Sequence, residues 1–220
     1  HHKDVYEHTL KVLEQVIDLE TSHEPQLPGD LILRMAALLH DIGKPKTRKF
    51  ESDGRVSFHH HEAVGARMTK KRMKSLRFSN EQIDEVSQLV ELHLRFHGYG
   101  TCERSDSAVR RYVRDAWPLL SRLHKLTRAD STTRNKRRAE ALQKAYDGLE
   151  QRIADLQEQE ELDSIRPDLN GAQIMEILGI GPGREVGEAY KFLLELRLDQ
   201  GPLAPQLAQE QLLRWWSERG

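Results

Sequence analysis

The chain has 220 residues, of which 37% are hydrophobic, 31% charged and only 6% aromatic, with a formal net charge of -1. That length leaves room for one substantial core or two modest ones. No apolar run approaches the ~20 residues that a membrane span requires and no charged-then-apolar leader is present, so a cytoplasmic protein with no membrane attachment is expected; the single cysteine, Cys102, excludes an internal disulfide and a cysteine-based zinc cage.

From Asp4 to Glu20, Val5, Thr9, Val12, Leu13, Val16 and Ile17 fall at the spacing of an amphipathic helix, with His8 near its apolar face. The stretch from His23 to Gly29, with two prolines, reads as a loop, and Asp30 can cap the next helix, whose apolar run is Leu31 to Leu39. That run closes on His40-Asp41, followed by Ile42-Gly43-Lys44-Pro45. Asp53-Gly54, flanked by Phe50, Val56 and Phe58, gives the one credible strand pair, a short hairpin. A helix is predicted from His61 through Leu76, and another begins at the capping box Ser79-Asn80-Glu81-Gln82. Ser105 to Ala116 and Pro118 to Ala129 give two more, capped by Ser105 and opened by Pro118, and the second delivers Asp130. Asn135 to Glu161 reads as one long, charge-rich spacer helix with a thin apolar stripe at Leu142, Ala145, Leu149, Ile153 and Leu156. Helices over 171–178 and 184–198, joined by Gly179-Ile180-Gly181-Pro182-Gly183, and a last one over 205–217 complete the chain. The expectation is an all-α protein: a helical bundle with a small β-hairpin insertion at 1–134, then the long helix and a small helical C-terminal subdomain at 135–220.

The near-zero net charge hides a segregation. Between Arg34 and Arg138 there are 24 Lys and Arg against 12 Asp and Glu, whereas the rest of the chain is acidic. Such a split presents one positive region, as an enzyme acting on phosphates or RNA would, although helix faces that alternate in sign produce it too. Arg110, Arg111, Arg114, Arg134, Lys136, Arg137 and Arg138 are the candidates for holding an RNA backbone. The Gly-Pro turn at 179–183 reads as a simple chain reversal, or as a helix-hairpin-helix turn whose free amides bind a phosphate.

His40 and Asp41 sit ~100° apart around a helix, close enough for both to reach one divalent cation at a helix end that faces a cavity. His8, His61, His93 and Asp130 each lie on or beside a separate predicted helix, which is how a bundle builds a metal site. This ordered set resembles the HD metal-dependent phosphohydrolase superfamily, whose signature is a first His, the His-Asp doublet, intermediate His residues and a late Asp. The phrases DVYEHTL, RMAALLHDIGKP, FHHHEAVGA, LVELHLRFHGY, TRADSTTRN and LNGAQIMEILGIGPGREVGEAYKFLLE narrow the likeness to the C-terminal half of bacterial CCA-adding tRNA nucleotidyltransferases, especially the actinobacterial HD-containing type. The likeness extends over nearly the whole chain. The family's polymerase head carries a Gly-Ser followed by Asp-x-Asp, and this sequence contains neither. Nucleotide addition is therefore not expected of this chain. Its opening at His1-His2-Lys3, with no initiator Met, reads as a fragment of a larger enzyme or as a tag remnant, beside the alternative of a gene encoding the HD half alone.

The resemblance implies an HD-domain bundle with His8, His40, Asp41 and Asp130 around one divalent ion: nickel, manganese, cobalt, iron, zinc or magnesium. His61 and His93 would orient the phosphate or hold a second ion. In the run of three histidines the phase is open between His59, His60 and His61, and Glu62-Ala63-Val64-Gly65-Ala66, which follows the functional His in the family phrase, selects His61. Asp41, Lys44, His61 and His93 are the candidate catalytic residues, with Lys44 pairing a phosphate oxygen or acting as a solvated loop lysine. His97 would line the entrance. The implied activities are those of a 2',3'-cyclic phosphodiesterase, 2'-nucleotidase or phosphatase acting on nucleotides, other phosphoesters or the 3' ends of tRNA and other RNA. An RNA-binding body with a vestigial or structural HD site and a stand-alone HD nucleotide phosphohydrolase are the alternatives.

Overall fold

The computed structural model describes residues 4–23, 27–95, 105–131, 136–160 and 165–219. The elements in chain order are α1 (Val5–His23), α2 (Leu31–Leu39), α3 (Lys44–Thr47), β1 (Lys49–Phe50), β2 (Val56–Ser57), α4 (His61–Ser75), α5 (Asn80–Leu92), α6 (Asp106–Ala116), α7 (Leu120–Asp130), α8 (Lys136–Gln159), α9 (Gly171–Leu178), α10 (Arg184–Gln200) and α11 (Pro205–Ser217). The two short strands pair antiparallel, Lys49 opposite Ser57 and Phe50 opposite Val56, so the protein is all-α with a small hairpin insertion. Pro118 lies just before α7 rather than within its first turn.

Two compact units share the chain. The first takes the described residues of 1–102 and 118–148, the second those of 103–117 and 149–220. The division expected at 134/135 thus differs from the observed one in two places: α6 joins the second unit, and α8 contributes its first half to one unit and its second half to the other. Periodicity locates helices, but which helix packs on which depends on faces that spacing does not pair.

In the first unit, Val12 and Val16 of α1, Leu33, Ala36 and Ala37 of α2, Val86, Leu89 and Val90 of α5, and Leu123 and Leu126 of α7 are fully buried. Each large aliphatic side chain removed from water in this way contributes roughly 1.5–3 kcal/mol before the entropy of ordering it. Asp30 caps α2, its side chain accepting from the Leu33 amide, and Ser79 with Gln82 closes a capping box on α5. The start of α2 is also pinned by charge: Glu20 accepts from the Asp30 amide and the Arg34 guanidinium, and Arg122 of α7 donates to Asp30 Oδ2 at 2.6 Å. These contacts fix the register of α1, α2 and α7 at the end away from His40. The second unit has its own core of Leu169, Ile174, Ala189, Leu193, Ala208 and Leu212. Gly179, left-handed at φ 65°, ends α9, and the Ile180 amide donates back to the Met175 carbonyl. That closes the C-terminus of α9 where the chain turns toward α10.

Candidate metal centre

His40 follows the last residue of α2, His93 follows the last residue of α5, and His61 opens α4. Each uses the backbone in the same way. His40 Nδ1 lies 2.8 Å from the Ala37 carbonyl, His61 Nδ1 2.9 Å from the Phe58 carbonyl and His93 Nδ1 2.6 Å from the Val90 carbonyl, always three residues earlier. A carbonyl only accepts, so Nδ1 donates in all three, and the ring is locked with Nε2 pointing inward. The Nε2 atoms of His40, His61 and His93, and Oδ1 of Asp41, are buried and make no hydrogen bond. Four orphaned polar atoms in one cluster would be costly unless something coordinates them.

Asp41 stands at the middle. It is 2% exposed; its Oδ2 is 3.3 Å from His40 Nε2 and 3.7 Å from His8 Nε2, and its Oδ1 is 3.4 Å from His61 Nε2. Asp130, at the end of α7, accepts from His8 Nε2 at 2.9 Å and lies 3.5 Å from His40 Nε2. His40 and His93 stack edge to face with ring centroids 5.4 Å apart, and His61 and His93 do so at 5.3 Å. Two triads have ligand atoms all within 4.8 Å of one another: His8, His40 and Asp41, and Asp41, His61 and His93. The six residues expected to form the site therefore come together, with Asp41 common to both sets, and they have the geometry to hold a divalent ion.

The electrostatics fit the same purpose. Burial pushes the Asp41 carboxyl up, but His40, His61 and Lys44 outweigh it and hold it far below the usual carboxylate range. Asp130 is likewise buried, and His40 and His8 hold it far down. Burial would lower the His40 imidazole, yet the Asp130 and Asp41 carboxylates raise it to about 10. His93, shut from water and facing the charge on His40, is lowered to about 4. Two ionised carboxylates thus hold one proton on His40, where a cation of higher charge would compete for the same pair.

Gly43 sets the spacing between the two halves of the site. A Cβ there would stand 2.2 Å from the His61 carbonyl oxygen and 2.8 Å from the Gly65 amide nitrogen. The turn after the His-Asp doublet therefore packs backbone to backbone on the first turn of α4. His60, just before α4, is left-handed at φ 60°, and its exposed ring lies beside Glu62, with Nδ1 3.8 Å from Oε1, rather than beside Asp41 or Asp130. No residue type marks the three backbone carbonyls, because every residue carries one; only the position of each His at a helix end points to them.

A family model described as HD domain matches residues 5–135, which include all six of these side chains. The chain belongs to the HD domain family. This HD chain is also 34% identical, over 99% of its length, to the A-adding tRNA nucleotidyltransferase of Deinococcus radiodurans, and 33% identical over 98% to the CC-adding tRNA nucleotidyltransferase of Thermus thermophilus. It covers 48% and 46% of those two proteins, so the chain spans about half the length of the curated relatives it matches.

Lys44 lies beside the HD site, with Nζ 2.6 Å from Asp41 Oδ2 and 5.9 Å from the centroid of the Phe58 ring. The arginines expected to hold RNA behave differently. Arg110 is 5% exposed: it makes a two-pronged pair with Glu160 and donates to the Leu198 and Asp199 carbonyls. This corrects its assignment as an RNA contact, since withdrawing it would break a two-pronged pair with a Glu160 side chain that is only 6% exposed. Arg111 is held by Asp199 and Glu195, both at 2.8 Å, and Arg114 by Asp115 at 3.0 Å; their charge is neutralised locally. Arg137 is exposed on α8. Arg134, His97 and Cys102, and the side chains of Lys136 and Arg138, lie outside the described residues. Among the described residues no helix is long and apolar enough to cross a membrane.

Proposed function

We propose that this chain is a metal-dependent phosphohydrolase of the 2',3'-cyclic phosphodiesterase, 2'-nucleotidase or phosphatase type. We further propose that it forms the HD part of a cytoplasmic tRNA nucleotidyltransferase that matures or repairs tRNA 3' ends. The observation that carries the hydrolase reading is the set of buried, unpartnered Nε2 atoms of His40, His61 and His93 around the Oδ1 of Asp41. The tRNA reading rests on the two relatives, whose names state A addition and CC addition to tRNA.

His8, His40, Asp41 and Asp130 would hold one ion, and Asp41, His61 and His93 a second. Imidazole and carboxylate together suit nickel, manganese, cobalt, iron or zinc, and carboxylate-rich coordination admits magnesium. Bound there, such an ion would make water nucleophilic near neutral pH and neutralise charge on the phosphate. The chain's own groups do the rest. Ala37, Phe58 and Val90 hold the three rings in one tautomer. His40 gives up the proton that it holds between Asp41 and Asp130. His8, Asp130 and Lys44, whose side chains are 11%, 12% and 24% exposed, mark the open side by which a phosphoester would enter. Lys44 can leave Asp41 for a phosphate oxygen once Asp41 coordinates an ion.

A second reading has an observation of its own. With Lys44 on Asp41 and a proton on His40, the two carboxylates are balanced without any metal, as a purely structural site in an RNA-binding body would be. Hydrolysis of 2',3'-cyclic AMP by the purified chain, with manganese, nickel or cobalt added and then chelated, separates the two. The hydrolase reading expects turnover that chelator removes and metal restores, and that His40→Ala and Asp130→Ala each abolish with the helical circular dichroism intact. Turnover that persists in both variants, or none with any metal, overturns it.

A further inference from the structure

We propose that the outward face of α4 is a docking surface for the phosphate backbone of RNA, separate from the metal centre. The inference rests on the reading of this chain as part of an RNA-directed enzyme. Arg67, Lys70, Lys71, Arg72 and Lys74 are all exposed on α4, with Arg77 in the turn that follows. Glu62, in the first turn, is the helix's one acidic residue. Lys70 pairs with Asp84 of α5 at 3.1 Å; Arg67, Lys71, Arg72, Lys74 and Arg77 meet no carboxylate among the described residues. This is not the general state of the molecule's cations: Arg110, Arg111, Arg114, Arg152 and Arg197 of the second unit each have an acidic partner.

Attraction to the helix's negative end accounts for a cation such as Arg72 or Lys74 in the last turn, but not for Arg67, Lys70 and Lys71 in the middle of α4. Arg67, Lys71 and Lys74 recur at i, i+4 and i+7, which lines them up on one face over ~10 Å of helix axis. That face turns away from the side that buries Ala66, Thr69 and Met73, and all three of its cations are exposed, so they line a surface separate from the metal pocket. An extended polyanion matches a row of unpaired charges better than an apolar partner does, because Leu76 is the one exposed large hydrophobic side chain between 67 and 77. A lipid surface or a folded protein would need more apolar area than that. Exposed lysines and arginines aimed at phosphates release condensed counterions on binding, and the contact carries no base readout.

The test replaces Arg67, Lys71 and Lys74 together by Gln in the full chain and measures binding of a tRNA transcript and of an unstructured RNA by fluorescence anisotropy at several salt concentrations. Helical circular dichroism and Tm should match wild type, since all three side chains are exposed. The dissociation constant should rise about tenfold or more, and the slope of log affinity against log salt should shrink by about 2 for the single strand. Hydrolysis of 2',3'-cyclic AMP should be unchanged, because the stripe touches no residue of the metal centre. Unchanged affinity and slope, or weakened binding of phosphatidylserine vesicles with RNA binding intact, overturns the proposal. A wild-type chain that binds RNA through this stripe but hydrolyses nothing would sustain it while refuting the hydrolase reading.

Discussion

Gly43 and His61 are held backbone to backbone: a side chain on residue 43 would meet the His61 carbonyl oxygen at 2.2 Å, and backbone cannot move aside as a flexible side chain can. The contact fixes Asp41, two residues before Gly43, against His61 at 3.4 Å. Gly43→Ala should therefore separate the two halves of the metal centre. We expect Tm to fall by the equivalent of about 1–3 kcal/mol, the usual cost of overpacking. Metal affinity should drop more than tenfold, because Asp41 would no longer face both triads. Thermal melts with and without manganese check this; a variant as stable and as metal-competent as wild type would show that the close approach is dispensable.

Metal uptake should release a proton. In the metal-free chain His40 is raised to about 10 from its ordinary value of 6.5. Its charge therefore contributes stability that is complete below about 6.5 and is lost as pH rises through about 10. Binding of a cation runs the other way, since it must displace that proton, so apparent affinity should rise about tenfold per pH unit between pH 6 and 8. Calorimetric titration in buffers of different ionisation enthalpy should give about one proton released per ion. A heat independent of buffer would mean that His40 is not displaced.

Lys44 balances Asp41, with Nζ 2.6 Å from Oδ2, and would be freed if Asp41 coordinated an ion. Lys44→Met should leave metal affinity equal or higher, because a competing cation is gone, and should raise KM for a phosphoester by about tenfold, the loss of one charge-assisted hydrogen bond. Steady-state kinetics at saturating metal read both effects. Weakened metal binding would assign Lys44 to holding Asp41 in place instead.

Much of the candidate site was legible in the sequence, because the side chains that come together fall on or beside helix ends that periodicity locates: His8 on α1, the doublet after α2, His61 opening α4, His93 after α5 and Asp130 closing α7. The choice of His61 over its two neighbours agrees with its burial, while His59 and His60 are exposed. What stayed hidden were contacts between distant residues. Arg110 looks like any exposed basic residue in sequence; only the packing of α6 with α10 turns it inward to Glu160, 50 positions away. The free cations of α4 were masked in the same way, since a count of charge does not tell which ones have partners.

The Arg110, Glu160 and Arg197 cluster gives the second unit a distinct acid sensitivity. Glu160 has 6% of its side chain exposed and accepts from both guanidinium groups. Burial raises its carboxyl, and Arg110 and Arg197 more than reverse this, leaving it below the usual 4.5. With a depressed folded value, the stability it contributes is present above about 4.5 and is lost as pH falls below it. Glu160→Gln should cost roughly 3–5 kcal/mol near neutral pH, the usual result of leaving buried charges unpaired. It should also flatten the loss of stability between pH 5 and 3. Urea melts across that range measure both; an unchanged profile would remove Glu160 from the account.

Asp41 belongs to both triads, so the amount of metal the chain retains should depend on this one side chain. Elemental analysis of chain purified without chelators, then dialysed against manganese or nickel, should find at least about one divalent ion per chain for wild type and almost none for Asp41→Ala, with matching circular dichroism. Equal metal content in the two, whether high or low, would contradict the assignment of this His and Asp cluster as the metal centre.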